Sequence, residues 1–292
     1  MTPVKLNVMF AFYSYGGNGG VSMSHPSIRA WFAKTVLAAK ADERVGDIKE
    51  IDYSDTPITM MRNRAVQDAR KFKSDILIMV DSDQHPDLYV GQDQAAKPFW
   101  DTSFNFLYDH YSKGPVVIGA PYGGPPPWEN VYVFKWSNRE TDTPDYDYSV
   151  EQFTREEASI RAGIEPCAAL PTGLIMFDMR AFDLVKPPYF YYEYTDEYQQ
   201  EKASTEDVTC TRDIGLAGQQ ILGYSPIHVN WDAWAGHYKP KCVGKPKLLS
   251  ITQVNEKYRD AVHRNKPATE KLVFLRQPAS VERLLAAHGN GK

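Results

Sequence analysis

The chain has 292 residues, 42% hydrophobic and 24% charged, with a formal net charge of −4. That length gives room for one large or two small domains, and the composition is ordinary for a globular protein. It excludes a membrane-spanning class, since no run approaches ~18 apolar residues, and the start, Met1-Thr2-Pro3-Val4-Lys5, has no signal-peptide pattern.

Lys5 to Phe12 reads as a first strand, running through Tyr13-Ser14-Tyr15 into Gly16-Gly17-Asn18-Gly19-Gly20. No Gly-Lys-Ser/Thr follows, so the loop is not a Walker A. Ser22 stands where Gly-x-Gly-x-x-Gly needs its third glycine. A flexible lip of a site is expected there. Pro26 to Lys40 is predicted helical, with Ser24 or Ser27 as its cap. Ile48 to Tyr53 is a second strand and Thr59 to Lys73 a second helix.

Ser74-Asp75-Ile76-Leu77-Ile78-Met79-Val80-Asp81-Ser82-Asp83 follows. Its apolar run reads as a strand buried on both faces. Side chains alternate along an extended backbone, so Asp81 and Asp83 are expected on one face with Ser82 between them. Ligands bind outside the carboxyl ends of strands in open α/β sheets, which is where this pair lies. Two carboxylates so placed suit a hard divalent ion such as Mg²⁺ or Mn²⁺. A strand simply leaving the core into an acidic turn would look the same.

Val116 to Ala120 is another buried strand, leading into the Pro- and Gly-rich loop Pro121-Tyr122-Gly123-Gly124-Pro125-Pro126-Pro127-Trp128. Residues 137–150 are polar and expected to be exposed. Thr172 to Met179 is a strand, Pro187-Pro188 a break, and Tyr189 to Tyr194 holds five aromatics in six residues. Ser204 to Leu222 is a helix with Cys210, Ile214, Ala217 and Ile221 on one stripe. Alternating strands and helices indicate an α/β fold with a mixed, mostly parallel sheet flanked by helices. Cys167, Cys210 and Cys242 fit neither a disulfide framework nor a zinc cluster and suggest a cytoplasmic protein. Residues 239–276 carry ten Lys or Arg against three acids, leaving residues 1–238 at −12. Residues 1–240 are therefore read as the α/β domain, and 241–292 as a basic, helical C-terminal extension packed on or near the site.

In order and spacing, these pieces resemble the metal-dependent glycosyltransferases of the GT-A fold, a Rossmann-like nucleotide-sugar transferase architecture. The likeness covers roughly residues 4–240. Met61-Arg62-Asn63-Arg64-Ala65 precedes the Asp81-Ser82-Asp83 motif (Asp-x-Asp) by 19 residues. A Gly-containing strand, Pro171-Thr172-Gly173-Leu174-Ile175-Met176, comes next. Thr205-Glu206-Asp207-Val208 then opens a helix, and His237 follows the strand Ile227-His228-Val229-Asn230-Trp231. The glycine-rich lip and the basic tail depart from the minimal pattern.

The resemblance implies a nucleoside-diphosphate sugar donor and a divalent ion, Mn²⁺ or Mg²⁺, with Mn²⁺ favoured by an imidazole ligand. Asp83 is the expected principal ligand, with His237 completing the protein ligands; His228 and His85 are the alternatives. Asp81 is a second ligand or a partner of the ribose hydroxyls, and Ser82 is grouped with the donor-binding residues. Asp207 is the candidate general base and Glu206 its alternate. Ser204-x-x-Asp207 equally reads as a capping box, in which Asp207 only satisfies a backbone N–H. Arg62 and Asn63 are implied near the nucleotide, Arg64 diverging from Arg62 along the helix. Phe12 and Tyr13 are placed to flank the base, and Asp52 to accept from base or ribose. Trp128, Trp231 and Trp234 are candidate sugar or acceptor platforms, with buried core the favoured alternative for at least one of them.

The function expected is sugar transfer to an acceptor hydroxyl, with inversion. A nucleotidyltransferase is the first alternative, although residues 16–20 hold no Lys or Arg for a triphosphate. A non-catalytic sugar-nucleotide or nucleic-acid binder of the same fold is the second. The tail, with Lys239, Lys241, Lys245 and Lys247 just after His237, fits a lid over the diphosphate. It equally fits a hold on a polyanionic acceptor such as modified DNA, or a solvated tail.

Overall fold

The computed structural model describes residues 4–14, 25–54, 57–124, 130–137, 150–194, 198–199, 202–239 and 241–243. The glycine lip at 16–20, Ser24, Trp128, most of 137–150, and Lys245 and Lys247 with the rest of the tail lie outside the described residues.

In chain order the first half holds β1 (Leu6–Tyr13), α1 (Pro26–Ala41), β2 (Val45–Tyr53), α2 (Ile58–Lys71), β3 (Ile76–Asp81), β4 (Gln84–His85), α3 (Phe99–His110) and β5 (Val117–Gly119). The second holds β6 (Phe134–Trp136), β7 (Val150–Gln152), α4 (Arg155–Ser159), β8 (Ile164–Pro166), β9 (Leu174–Asp178), β10 (Glu193–Tyr194), β11 (Lys202–Ser204), α5 (Glu206–Leu222), β12 (Ile227–Asn230), β13 (Gly236–Lys239) and β14 (Lys241–Val243).

The central sheet has the order β2-β1-β3-β9-β5-β12-β8. β2, β1, β3, β5 and β12 run one way, while β9 and β8 run against them. This is the expected α/β architecture, with helices on both faces of a mostly parallel sheet. Period two sorts each strand between two cores. Met9, Ala11 and Tyr13 of β1 and Leu77 and Met79 of β3 pack toward α2 and α5. Leu6, Val8, Phe10 and Phe12 of β1, with Ile76, Ile78 and Val80 of β3, pack toward α1 and α3. A strand with apolar residues on both sides has to be central, and β3 is buried at every position.

Several local expectations change. The cap of α1 is His25, whose side chain accepts from the Ser27 N–H, so Ser27 is not the cap. The capping box belongs to Thr154 and Glu157 at α4, whereas the N-cap of α5 is Thr205, whose side chain makes no capping hydrogen bond. Helices α3 and α4 and strands β4, β6 to β8, β10, β11, β13 and β14 were not legible as elements. The proposed boundary at 240 falls within the β13–β14 pair, because Lys239 opposes Lys241.

Candidate active site

Parity along β3 decides the site. Asp81 continues the Leu77, Met79 series, so its carboxylate emerges at the carboxyl edge on the face covered by α2 and α5. Arg62, on the buried stripe of α2 with Ala65, Val66 and Ala69, meets it there. Its Nη2 donates to both Asp81 oxygens, at 3.2 and 3.0 Å. Its Nη1 lies 3.1 Å from Glu206 Oε1 and 3.7 Å from Asp207 Oδ2. The guanidinium is only 2% exposed and joins β3 to the first turn of α5. Arg62 is thus a charge bridge inside the site rather than a group facing a nucleotide.

Three carboxylates around one guanidinium leave local negative charge in excess. Burial first, then Asp83, Asp207 and Glu206, push the Asp81 carboxyl up to about 7, while Arg62 acts the other way. Glu206 is likewise raised, by burial and then by Asp207, with Arg62 and a hydrogen bond from Tyr192 opposing. Asp207 is differently held. Its Oδ1 accepts from the Thr205 hydroxyl at 2.6 Å and the Val208 N–H at 2.9 Å, while Oδ2 points toward Arg62.

Asp83 does not share the strand with Asp81, because β3 ends at Asp81 and the next two residues turn. The alternation argument therefore fails at Asp83, and β13 determines its environment instead. β13 lies antiparallel to β4 with His237 opposite Gln84, and the Tyr238 N–H donates to the Asp83 carbonyl at 2.8 Å. His237 Nε2 lies 3.4 Å from Asp83 Oδ2. His237 Nδ1 lies 2.9 Å from the Gly123 carbonyl, which can only accept, so this nitrogen carries the proton. In the neutral ring the Nε2 lone pair then faces a carboxylate oxygen. Among the described residues, no group of three or more His, Cys, Asp or Glu is arranged to hold a metal ion.

The rest of the wall comes from residues that the sequence did not single out. Tyr122 is fully buried and packs edge-on against His237 with ring centres 5.0 Å apart. Its hydroxyl is raised by burial first and then by Asp207, Asp81 and Asp83, with Arg62 acting the other way. A Cβ on Gly173 would meet the Tyr122 hydroxyl at 2.8 Å and the Gln84 amide at 2.9 Å, so the glycine is needed for close approach. Gln84 is buried, and its Oε1 has no hydrogen-bond partner among the described residues. The only signals available were the shaped loop carrying Tyr122 and the glycine of the Pro171-Thr172-Gly173 segment.

Other candidates are placed differently. Phe12 and Tyr13 face opposite sides of the sheet and do not flank a common space. Phe12 is buried beneath Arg29, whose guanidinium carbon lies 3.7 Å from the ring centre, and Tyr13 is buried against Tyr53. Asp52 is exposed and paired with Arg29 at 3.0 Å. The Asn63 amide donates to the Thr59 and Phe190 carbonyls and accepts from the Tyr189 and Phe190 N–H groups. It pins the Tyr189 segment to α2 and is saturated in doing so. Trp231 and Trp234 are buried and pack on each other at 5.9 Å, so they are core rather than sugar platforms. Ser82 is buried, with its N–H donating to the Tyr13 carbonyl. His85 stacks on Tyr238, and the His228 Nδ1 lies against the Pro226 carbonyl; neither replaces His237 beside Asp83.

No family model and no curated protein matches the chain. Among solved structures, the chain is similar to A197 from STIV, at 12% identity and a TM-score of 0.48, covering 84% of this chain and 97% of that one. It is also similar to a putative glucose-1-phosphate thymidylyltransferase from Bacillus anthracis, at 10% identity and a TM-score of 0.39, covering 87% and 96%. A UDP-glucose pyrophosphorylase complexed with UDP-glucose shows 8% identity and a TM-score of 0.41, covering 91% and 99%. At such identities and scores these likenesses carry no argument about activity.

Proposed function

We propose that this chain is a metal-dependent glycosyltransferase of the GT-A type that transfers a sugar from a nucleoside-diphosphate donor to an acceptor hydroxyl. The observation carrying the reading is the opposition of His237 Nε2 and Asp83 Oδ2 at 3.4 Å, beside a cluster rich in carboxylates. A divalent cation shared between that nitrogen and the carboxylate makes the contact favourable, as a second proton on the ring also would, and we read it as the cation because of the carboxylates beside it. The Gly123 carbonyl fixes the tautomer in the way that outer-shell partners fix metal-binding imidazoles. An N and O donor set suits Mn²⁺, and two protein ligands leave positions for diphosphate oxygens. When bound, the ion would neutralise charge on the departing diphosphate.

The chain's own residues divide the remaining work. Asp207 is the base: it sits in the first turn of α5, where the helix dipole favours its charge, and the Thr205 hydroxyl and Val208 N–H orient it. Arg62 holds Asp81, Glu206 and Asp207 in one arrangement, so it positions the base rather than binding the donor. Gly173 keeps the floor low enough for Tyr122 and Gln84 to approach each other.

Nucleotidyl transfer would use the same cation and differ in its product. Incubation with UDP- and GDP-sugars plus Mn²⁺ is expected to release nucleoside diphosphate slowly, even to water. Release of pyrophosphate from a nucleoside triphosphate and a sugar 1-phosphate, with no diphosphate release from any sugar nucleotide, overturns this reading in favour of nucleotidyl transfer.

A further inference from the structure

On the outer side of α2 lies a cleft of about 740 Å³ between that helix and the Pro187 to Phe190 segment. This falls within the usual range for small-molecule sites, about 300–1,000 Å³. Thr59, Asn63 and Gln67 recur every four residues, as do Met60, Arg64 and Asp68, so two neighbouring stripes of the helix form one wall. Arg62 is not among the lining residues; it faces the carboxylates from the buried stripe. The cleft is therefore a second concavity, separate from the Asp81, Glu206 and Asp207 cluster.

We infer that this cleft binds a neutral saccharide. Pro187, Pro188 and Tyr189 line one side with two aliphatic rings and one aromatic ring, and Met60, 66% exposed, adds an adaptable apolar surface on the other. Such surfaces suit the apolar faces of sugar rings. The polar groups are mixed in sign and type: Gln67 offers an amide, Thr59 a hydroxyl, Arg64 a guanidinium and Asp68 a carboxylate. Hydroxyls that both donate and accept match such a set.

Charge decides against a phosphate or nucleotide in the same place. Arg64 stands 3.9 Å from Asp68, so the wall has no net charge, and an anion drawn to the arginine also meets the carboxylate. Asn63 is saturated by backbone groups and contributes rigidity instead of recognition. The Tyr53 hydroxyl donates to Asp68 Oδ2 at 2.9 Å, fixing that carboxylate with its other oxygen available. The inference does not rest on the transfer reading, since a protein that transfers nothing would still bind sugar here.

Saturation-transfer NMR on the full chain tests it, with cellobiose, maltose, lactose and chitobiose each at millimolar concentration. Transfer to at least one disaccharide is expected. Gln67→Ala or Arg64→Ala, both changes at exposed positions, should weaken that binding by about tenfold, the usual effect of losing one hydrogen-bonding partner. UDP with Mn²⁺ should leave the signal in place. No transfer to any of the four sugars, an undiminished signal in both variants, or displacement by UDP would each overturn the proposal. Failure of sugar-nucleotide turnover would leave it untouched, which separates it from the transfer reading.

Discussion

Two buried arginines, Arg62 and Arg212, sit on α2 and α5, which cover the same face of the sheet, and are held in contrasting ways. Arg212 of α5 is 4% exposed and grips Glu193 through two short bonds, 2.8 and 2.6 Å, with Asp213 at 2.9 Å. The Tyr191 hydroxyl donates to Asp213 at 2.6 Å, and the Tyr191 carbonyl accepts from Thr209. Arg62 of α2 spreads over Asp81, Glu206 and Asp207 at 3.0 to 3.7 Å, with Asp83 adding further negative charge nearby. The first cluster is tight and bidentate and bolts the Tyr189 to Tyr194 segment to α5. The second is looser and over-supplied with carboxylates. One guanidinium faces two carboxylates in the first cluster and three in the second, so both hold a negative surplus and the second the larger, which a bound cation would neutralise.

The largest effect expected from this contrast is on folding. Arg212→Met strands Glu193 and Asp213, and losing one partner of a buried ion pair costs about 3–5 kcal/mol. Urea unfolding should show that loss with or without Mn²⁺. Arg62→Met should be partly rescued by Mn²⁺ with UDP, because the carboxylates it leaves can still face a cation. Equal rescue of both variants, or of neither, would erase the distinction.

Asp207→Asn is expected to cut turnover by at least ~100-fold, the lower end of general-base effects, with little change in melting temperature. Parallel losses of activity and stability would return Asp207 to a purely structural role. Smaller again is a ligation effect. Mn²⁺ and UDP together should raise the melting temperature of the parent, because ligands that bind only the folded state stabilise it. Asp83→Ala and His237→Ala should each abolish the rise while remaining folded; a response like the parent's in both removes the cation from this pair.

The smallest effect is a pH dependence. Burial and Asp207 raise the Glu206 carboxyl above its ordinary value of 4.5. The folded state therefore holds this proton at pH values where the unfolded chain has released it. Stability from this group is full below about pH 4.5 and falls as pH rises through the raised folded value. Glu206→Gln should flatten that decline in the metal-free protein, measured by urea unfolding between pH 4 and 8. A steeper decline in the variant would show that the sign is wrong.

Much of the frame was legible because it depends on period and composition. β1, α1, α2, β3 and α5 fall within a few residues of where apolar spacing put them. Short pieces such as β4 and β13 were not, because two to four residues carry too little periodicity and are held by their partners. The same limit misled the reading of the site. Arg62 and Asn63 looked like neighbours with one task, yet adjacent positions on a helix diverge. One became the bridge among carboxylates and the other a bracket for the Tyr189 segment. Trp231 and Trp234 were readable as platforms or as core, because aromatic type alone does not distinguish the two, and both are core.

The sequence by itself determined the central strands, their two-sided burial and the emergence of Asp81 at a carboxyl edge, because alternation along a buried strand leaves its last residue no other face. Only the tertiary structure decided which groups meet that carboxylate. Asp81 and Arg62 are 19 residues apart and Glu206 lies far beyond both, and helix packing brings them together. Asp83 gained its histidine through the β4–β13 pairing, and the Gly123 carbonyl set the tautomer of that ring. Long-range pairing of this kind is fixed by packing and register across the sheet, which no local pattern records.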